Sequence, residues 1–233
     1  MNGLQQIWSE GDAVSRGVAL LLLAMSVSAW VLIFWKSWVL GRARRDLAVV
    51  VPAFWRAPDL DAGQRLLASR DREQLLLPLL DAALRPVSAD TLEAGTHTQA
   101  QLTRRLRDAL HGVLAQLQQG QVLLASVGAT APFIGLFGTV WGIYHALLGI
   151  SAAGSVSIDK VAGPVGEALI MTAAGLAVAI PAVLAYNLFG KWVGACEADL
   201  EGYAHDLREM LVEQAGLTPR HPPAGEESWP SAG

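Results

Sequence analysis

A single carboxylate stands inside an apolar stretch in the C-terminal half of the chain. Glu167 is the only Asp, Glu, Lys or Arg between Lys160 and Lys191. An acidic side chain at the centre of a bilayer costs about 2.5–3.5 kcal/mol on insertion scales. A glutamate in such a stretch therefore indicates a functional or structural role that offsets this cost. Two interpretations fit: a carboxyl that takes up and releases protons in a water-accessible passage, or a glutamate that faces an aqueous vestibule at a helix N-terminus after Pro164.

Three other polar side chains in the apolar stretches are candidates for a proton path: Thr139, Thr172 and His145. If the stretches around Thr139 and Thr172 form a hairpin with its midpoint near residue 155 or 156, the two hydroxyls reach the same depth. Hydroxyl groups there can bond water or ions, although Thr also bonds to the carbonyls of its own helix. His145 is a possible further member of a proton path because histidine titrates near neutral pH, but it also suits a packing role near a membrane boundary.

Small residues recur on one face of the stretch that contains Thr139. In a membrane, such a stripe lets a neighbouring helix approach closely. The same hairpin brings Pro132 level with Pro181. The residues that we therefore expect to serve helix packing are Gly128, Gly135, Gly138, Gly142, Pro132 and Pro181.

The composition indicates that these residues lie in a membrane protein. Of the 233 residues, 52% are apolar and only 16% are charged. No Asp, Glu, Lys or Arg occurs in residues 17–35 or 112–158, and about 20 apolar residues are enough to span a bilayer. The net charge of −4 and the absence of a dense basic patch argue against nucleic-acid binding, and one cysteine excludes an intrachain disulfide. No metal site or cofactor is expected.

The predicted fold is an all-α integral membrane protein with three transmembrane helices and long cytoplasmic helical extensions. Of the 17 Lys and Arg residues, 12 fall between residues 36 and 120, which places that segment in the cytoplasm. The predicted order is a periplasmic segment 1–17, a spanning helix 18–38, a cytoplasmic helical region 39–121, a spanning helix 122–150, a periplasmic loop 151–161, a spanning helix 162–190, a cytoplasmic helix 191–217 and a disordered tail 218–233.

The cytoplasmic segments carry amphipathic patterns. Apolar residues recur at three- and four-residue steps from Leu102 to Leu117 and from Leu200 to Met210, which predicts helices that pack as a bundle. The first of these is expected to run directly into the second span. Between residues 45 and 90, prolines at 52, 58, 78 and 86 predict short helices joined by turns.

Three segments resemble the MotA/TolQ/ExbB proton-channel family. They are ATAPFIGLFGTVWG at residues 129–142, GPVGEALIMTAAGL at residues 163–176 and IPAVLAYN at residues 180–187. The resemblance implies that Glu167, Thr139 and Thr172 belong to a proton pathway. On an ideal helix Thr172 lies roughly 140° around the axis from Glu167, so either both reach one lumen through tilt, or Thr172 faces the second span while Glu167 faces the pore.

The resemblance also implies partners and a function. It implies a homo-oligomer, a pentamer in this family, in the inner membrane of a bacterium, around a single-span ExbD-type subunit with a membrane aspartate. A TonB-type protein would transmit the work to outer-membrane transport. A TolQ-type role in the envelope is the alternative within the family, and the run 154–164 looks closer to the ExbB type. A self-sufficient channel would need a second charge in the membrane to pair with Glu167, and the apolar stretches contain none. An intramembrane enzyme would need a Ser-His, paired-Asp or metal-ligand set, which these stretches also lack.

Overall fold

The chain is all-helical in the computed structural model, which describes residues 12–86, 98–153, 158–214 and 216. Three of the helices are long and apolar enough to cross a membrane, as the sequence predicts. The helices are α1 (Ala13–Trp55), α2 (Leu60–Arg70), α3 (Leu77–Leu84), α4 (Thr98–Gln118), α5 (Gln121–Ala153) and α6 (Ile158–Gln214).

Two of the membrane-length helices, α1 and α6, extend well past the predicted spans. α1 has 43 residues and α6 has 57, which correspond to roughly 65 and 85 Å at 1.5 Å per residue. α6 is one continuous helix that includes the predicted third span and the predicted cytoplasmic helix. The predicted disordered tail and most of the predicted N-terminal segment lie outside the described residues.

Antiparallel packing of α5 on α6 forms the centre of the molecule, and α1 packs on both helices. Beyond the hairpin, α2, α3 and α4 pack against the distal halves of α1 and α6. The apolar stripes predicted from Leu102 to Leu117 and at Leu200, Tyr203 and Leu207 are buried in this bundle. Tyr203 also meets Phe54 edge-on, with ring centroids 5.3 Å apart, and so joins α6 to the end of α1.

Two expectations about the helices outside the predicted spans are wrong. Pro52 does not end a helix, because α1 continues through it to Trp55 while Leu47, Val50 and Phe54 remain on its buried face. Packing along that face outweighs the one backbone hydrogen bond that proline removes. α4 does not run directly into α5 either: a turn separates them, with Gly120 at φ +83°, a backbone conformation that glycine adopts without strain.

A buried lysine fixes this turn to α1. The Lys36 side chain is 2% exposed, and its ammonium group donates to the carbonyl oxygen of Leu117 and, over 2.5 Å, to that of Gln119. Carbonyl groups at a helix C-terminus have no partner within the helix and favour a cation. Lys36 therefore links α1 to the junction of α4 and α5.

Candidate functional site

The two threonines of the predicted pathway meet across α5 and α6. The hydroxyl oxygens of Thr139 and Thr172 are 2.5 Å apart, and Thr139 also lies 2.9 Å from the carbonyl oxygen of Ala168. The Thr139 hydroxyl is 3.2 Å from the Gly135 carbonyl oxygen in its own helix. A hydroxyl carries one proton, so Thr139 can donate to Ala168 while it accepts from Thr172.

Backbone contact between two glycines brings the threonines together. A Cβ atom added at Gly135 would lie 2.6 Å from the Met171 carbonyl oxygen and 3.1 Å from the Gly175 Cα atom. A Cβ atom added at Gly175 would lie 2.6 Å from the Ala131 carbonyl oxygen. Any side chain at either position would push α5 away from α6 and separate the hydroxyl groups one turn further along.

The other three glycines of the predicted stripe also face neighbouring helices. A Cβ atom added at Gly128 would lie 2.5 Å from the side chain of Val183, and one added at Gly142 would lie 2.9 Å from the side chain of Ala168. A Cβ atom added at Gly138 would lie 3.0 Å from Val18 of α1. The stripe therefore contacts α6 along most of α5 and α1 at one point.

The prolines of the predicted packing set both lie inside helices. Pro132 is in α5, and Pro181 is in α6. The contacts of Gly128 with Val183 and of Gly135 with Gly175 place the two prolines within about one helical turn of each other along the axis.

Glu167 lies on the other flank of the α6 surface that packs against α5. The buried residues Ala168, Met171 and Gly175 separate its position on the helix from that of Thr172. The Glu167 side chain is half-buried, and no hydrogen bond or ion pair joins it to any residue that the structure describes. An added Cβ atom at Gly163 or Gly166 would meet nothing within 4 Å, so the surface beside the carboxyl is open.

The position of Glu167 differs from the one expected at a helix N-terminus. α6 begins at Ile158, six residues before Pro164, and continues through that proline. Glu167 is therefore in its third turn, where the favourable field of the helix N-terminus has largely decayed. The Thr139 bond to Ala168 connects the threonine pair to the residue that follows Glu167.

His145 lies at a separate cluster on the α1 side of α5. Its Nε2 atom is 3.8 Å from Oδ2 of Asp12, and its ring packs on that of Trp141 with centroids 4.6 Å apart. No contact within the described part of the chain joins His145 to Glu167 or Thr172. The structure thus brings the threonines together and leaves the histidine apart from them.

Asp12 is a residue that the sequence reasoning missed. Its Oδ1 atom accepts the backbone N–H of Ser15 over 2.9 Å and caps α1, while Oδ2 accepts the indole N–H of Trp141 over 2.6 Å. Burial raises the pKa of Asp12, but these hydrogen bonds and nearby His145 outweigh it, so the pKa is lowered from its ordinary value. An aspartate directly before a long apolar run is a helix-start signal that could have revealed the cap, though not the contact with Trp141.

Comparisons with known proteins show the family to which this chain belongs. Residues 72–202 match the family model described as the MotA/TolQ/ExbB proton channel family. The chain is 44% identical over 216 residues to a biopolymer transport protein ExbB from Xanthomonas campestris pv. campestris, covering 88% of this chain and 84% of the relative.

Two further relatives span almost the whole chain. One is a biopolymer transport protein ExbB from Neisseria meningitidis serogroup A, 41% identical over 217 residues, with 91% of this chain and 98% of the relative covered. The other is a Tol-Pal system protein TolQ from Haemophilus influenzae, 33% identical over 219 residues, with 90% and 93% covered.

Proposed function

This chain belongs to the MotA/TolQ/ExbB proton channel family as an ExbB-like channel subunit rather than an enzyme, and from that premise we propose that Glu167 carries protons that drive TonB-dependent transport at the outer membrane. The observation that carries this proposal is the state of the Glu167 carboxyl. It is half-buried in a membrane-length helix and has no partner among the described residues. A carboxyl kept in that environment suits proton exchange better than structural support.

The partner of Glu167 comes from another chain in this proposal. Gly163 and Gly166 leave open space beside the carboxyl, where a second helix can approach closely. A single-span ExbD-type subunit with a membrane aspartate would supply a second carboxyl there, and protons would pass between the two groups. The paired hydroxyl groups of Thr139 and Thr172 would form hydrogen bonds with water or a proton donor along this path.

Apolar surface supports assembly into a homo-oligomer, which we propose is a pentamer around the partner helices. The outer faces of the three membrane-length helices keep large apolar side chains exposed, including Phe133, Phe137, Leu169 and Leu184. Lipid can cover part of this surface and neighbouring copies the remainder. One proton that crosses 100 mV releases only about 2.3 kcal/mol, so the assembly must sum several transfers before a TonB-type protein can remodel an outer-membrane receptor.

The orientation that we propose places the α5–α6 loop in the periplasm and the C-terminus in the cytoplasm of an inner-membrane protein. It is supported by the basic residues after the first span, Arg42, Arg44 and Arg45. In a Cys196→Ala background, cysteine at position 155 is expected to react with an impermeant maleimide in spheroplasts, and cysteine at position 45 or 213 only after permeabilisation. Labelling of position 45 from outside would contradict this orientation.

The native thiol gives a matched control for that experiment. Cys196 is 0% exposed, and burial raises the pKa of its thiol to about 11. Since the thiolate is the reactive form, the unmodified chain is expected to stay unlabelled on either side of the membrane.

Complementation separates the ExbB-type role from the TolQ-type role. In a host that lacks its own ExbB and TolQ subunits, this chain with its cognate single-span partner is expected to restore energy-dependent uptake of an iron chelate. Resistance to detergents, which reports on envelope integrity, is expected to remain low. Restored detergent resistance without uptake would assign the chain to the Tol-Pal system instead.

A further inference from the structure

We propose that Asp12 is a positioning residue for the proton pathway. Its carboxylate binds the indole of Trp141 and so fixes one turn of α5 relative to α1, the turn that also contains Thr139. This inference rests on the pathway role proposed above for Thr139. It concerns a residue that lies outside the three matched sequence segments and that contacts neither threonine directly.

The two oxygens of Asp12 serve different helices. Oδ1 accepts the Ser15 N–H and caps α1, whereas Oδ2 accepts the Trp141 N–H of α5 over 2.6 Å. An ionised acceptor makes a hydrogen bond roughly twice as strong as a neutral one. The capping bond would suffice to start α1, so the second bond has a separate consequence: it connects α1 to α5.

Trp141 belongs to the turn of α5 that touches both neighbouring helices. Gly138 in this turn abuts Val18 of α1, and Gly142 abuts Ala168 of α6. Thr139, between them, bonds to the Ala168 carbonyl oxygen. A shift of Trp141 would therefore move Thr139 relative to α6, because a helical turn moves as a rigid unit.

Apolar packing joins α1 and α5 near this level at one point, where Val18 of α1 meets Gly138. The two helices separate around an open cavity of about 520 Å³, with almost entirely apolar walls. Its lining includes Val14, Gly17 and Val18 from α1 and Phe133 and Phe137 from α5. Along the cavity the side chains of the two helices do not interlock, so a polar bond between α1 and α5 adds to the packing that places them.

His145 completes the cluster around the indole ring. Its ring packs on Trp141, and its Nε2 atom lies 3.8 Å from the same carboxylate oxygen that the indole uses. The indole is therefore held at its N–H by Asp12 and on its face by His145. This arrangement fixes the orientation of Trp141 as well as its distance from α1.

The test separates the cap from the link between helices. Asp12→Ser keeps an N-cap acceptor but is too short to reach Trp141, and Trp141→Phe keeps an aromatic ring without its N–H donor. Each variant is expected to assemble and to lose uptake roughly tenfold, the factor that corresponds to about 1.4 kcal/mol. The double variant is expected to lose no more uptake than either single variant, because both substitutions remove the same bond.

Trp30→Phe, at a tryptophan exposed on the outer face of α1, is the matched control and should keep full uptake.

A spectroscopic measurement tests the bond independently of transport. In ¹⁵N-indole-labelled complex in lipid, the N–H signal that disappears in Trp141→Phe is expected to shift in Asp12→Ser. An unmoved signal, additive losses in the double variant, or wild-type uptake by either single variant would overturn the inference. Failure of the proposed pathway is distinguishable, because it would appear as wild-type uptake by Glu167→Gln whatever the indole signal does.

Discussion

Replacing Glu167 with glutamine is expected to lower energy-dependent uptake at least about a hundredfold. This factor is the lower end of the rate enhancement that a positioned acid–base group contributes. Glutamine keeps the size and polarity of the side chain but cannot ionise. The complex should nevertheless assemble, since the Glu167 side chain makes no hydrogen bond or ion pair with the described residues. Iron-chelate uptake in cells is the measurement, with the intact complex verified by co-purification of the partner.

Aspartate is the matched variant at this position. Glu167→Asp keeps a titratable carboxyl on a shorter stem, so it is expected to retain partial uptake. A structural glutamate predicts the reverse order, because a neutral amide is cheaper to bury than a carboxylate. Wild-type uptake by the glutamine variant would remove Glu167 from the mechanism.

Replacing Gly135 with alanine is expected to cause the second large effect, a loss of correctly packed subunit. The added methyl group would lie 2.6 Å from the Met171 carbonyl oxygen, and backbone atoms cannot move aside as a flexible side chain can. Overpacking of a close contact costs about 1–3 kcal/mol, which should lower both the melting temperature and the yield of oligomer in detergent. Thermal unfolding and size-exclusion chromatography report the two quantities.

Other glycines of the hairpin serve as controls for that substitution. An added methyl group at Gly149 of α5 or Gly190 of α6 would meet nothing within 4 Å, so alanine there should leave both measurements unchanged. Gly138→Ala should be intermediate, because its nearest atoms belong to the side chains of Val18 and Met171. Gly138→Leu should block assembly. A normal oligomer from Gly135→Ala would show that the glycine contact is incidental.

The sequence by itself determined the helical class and the three membrane-length helices. Long gaps between charged residues are sufficient for this, because the cost of placing charges in hydrocarbon exceeds most other local preferences. It also determined that Thr139 and Thr172 lie at one depth, since a short connection between antiparallel helices fixes their axial register. The family followed from the three segments on α5 and α6, which the comparisons confirm.

Only the tertiary structure decided how each helix is rotated about its axis, and therefore which side chains face a neighbouring helix. The sequence left open whether Thr172 faces the second span, and the 2.5 Å contact with Thr139 puts it there, on the opposite flank from Glu167. Helix ends depended on packing as well: α1 passes Pro52, since Leu47, Val50 and Phe54 are buried along the turns that this proline weakens. The bonds of Asp12 to Trp141 and of Lys36 to the α4–α5 turn join residues 129 and at least 81 positions apart, a separation at which local pattern carries no information about contact.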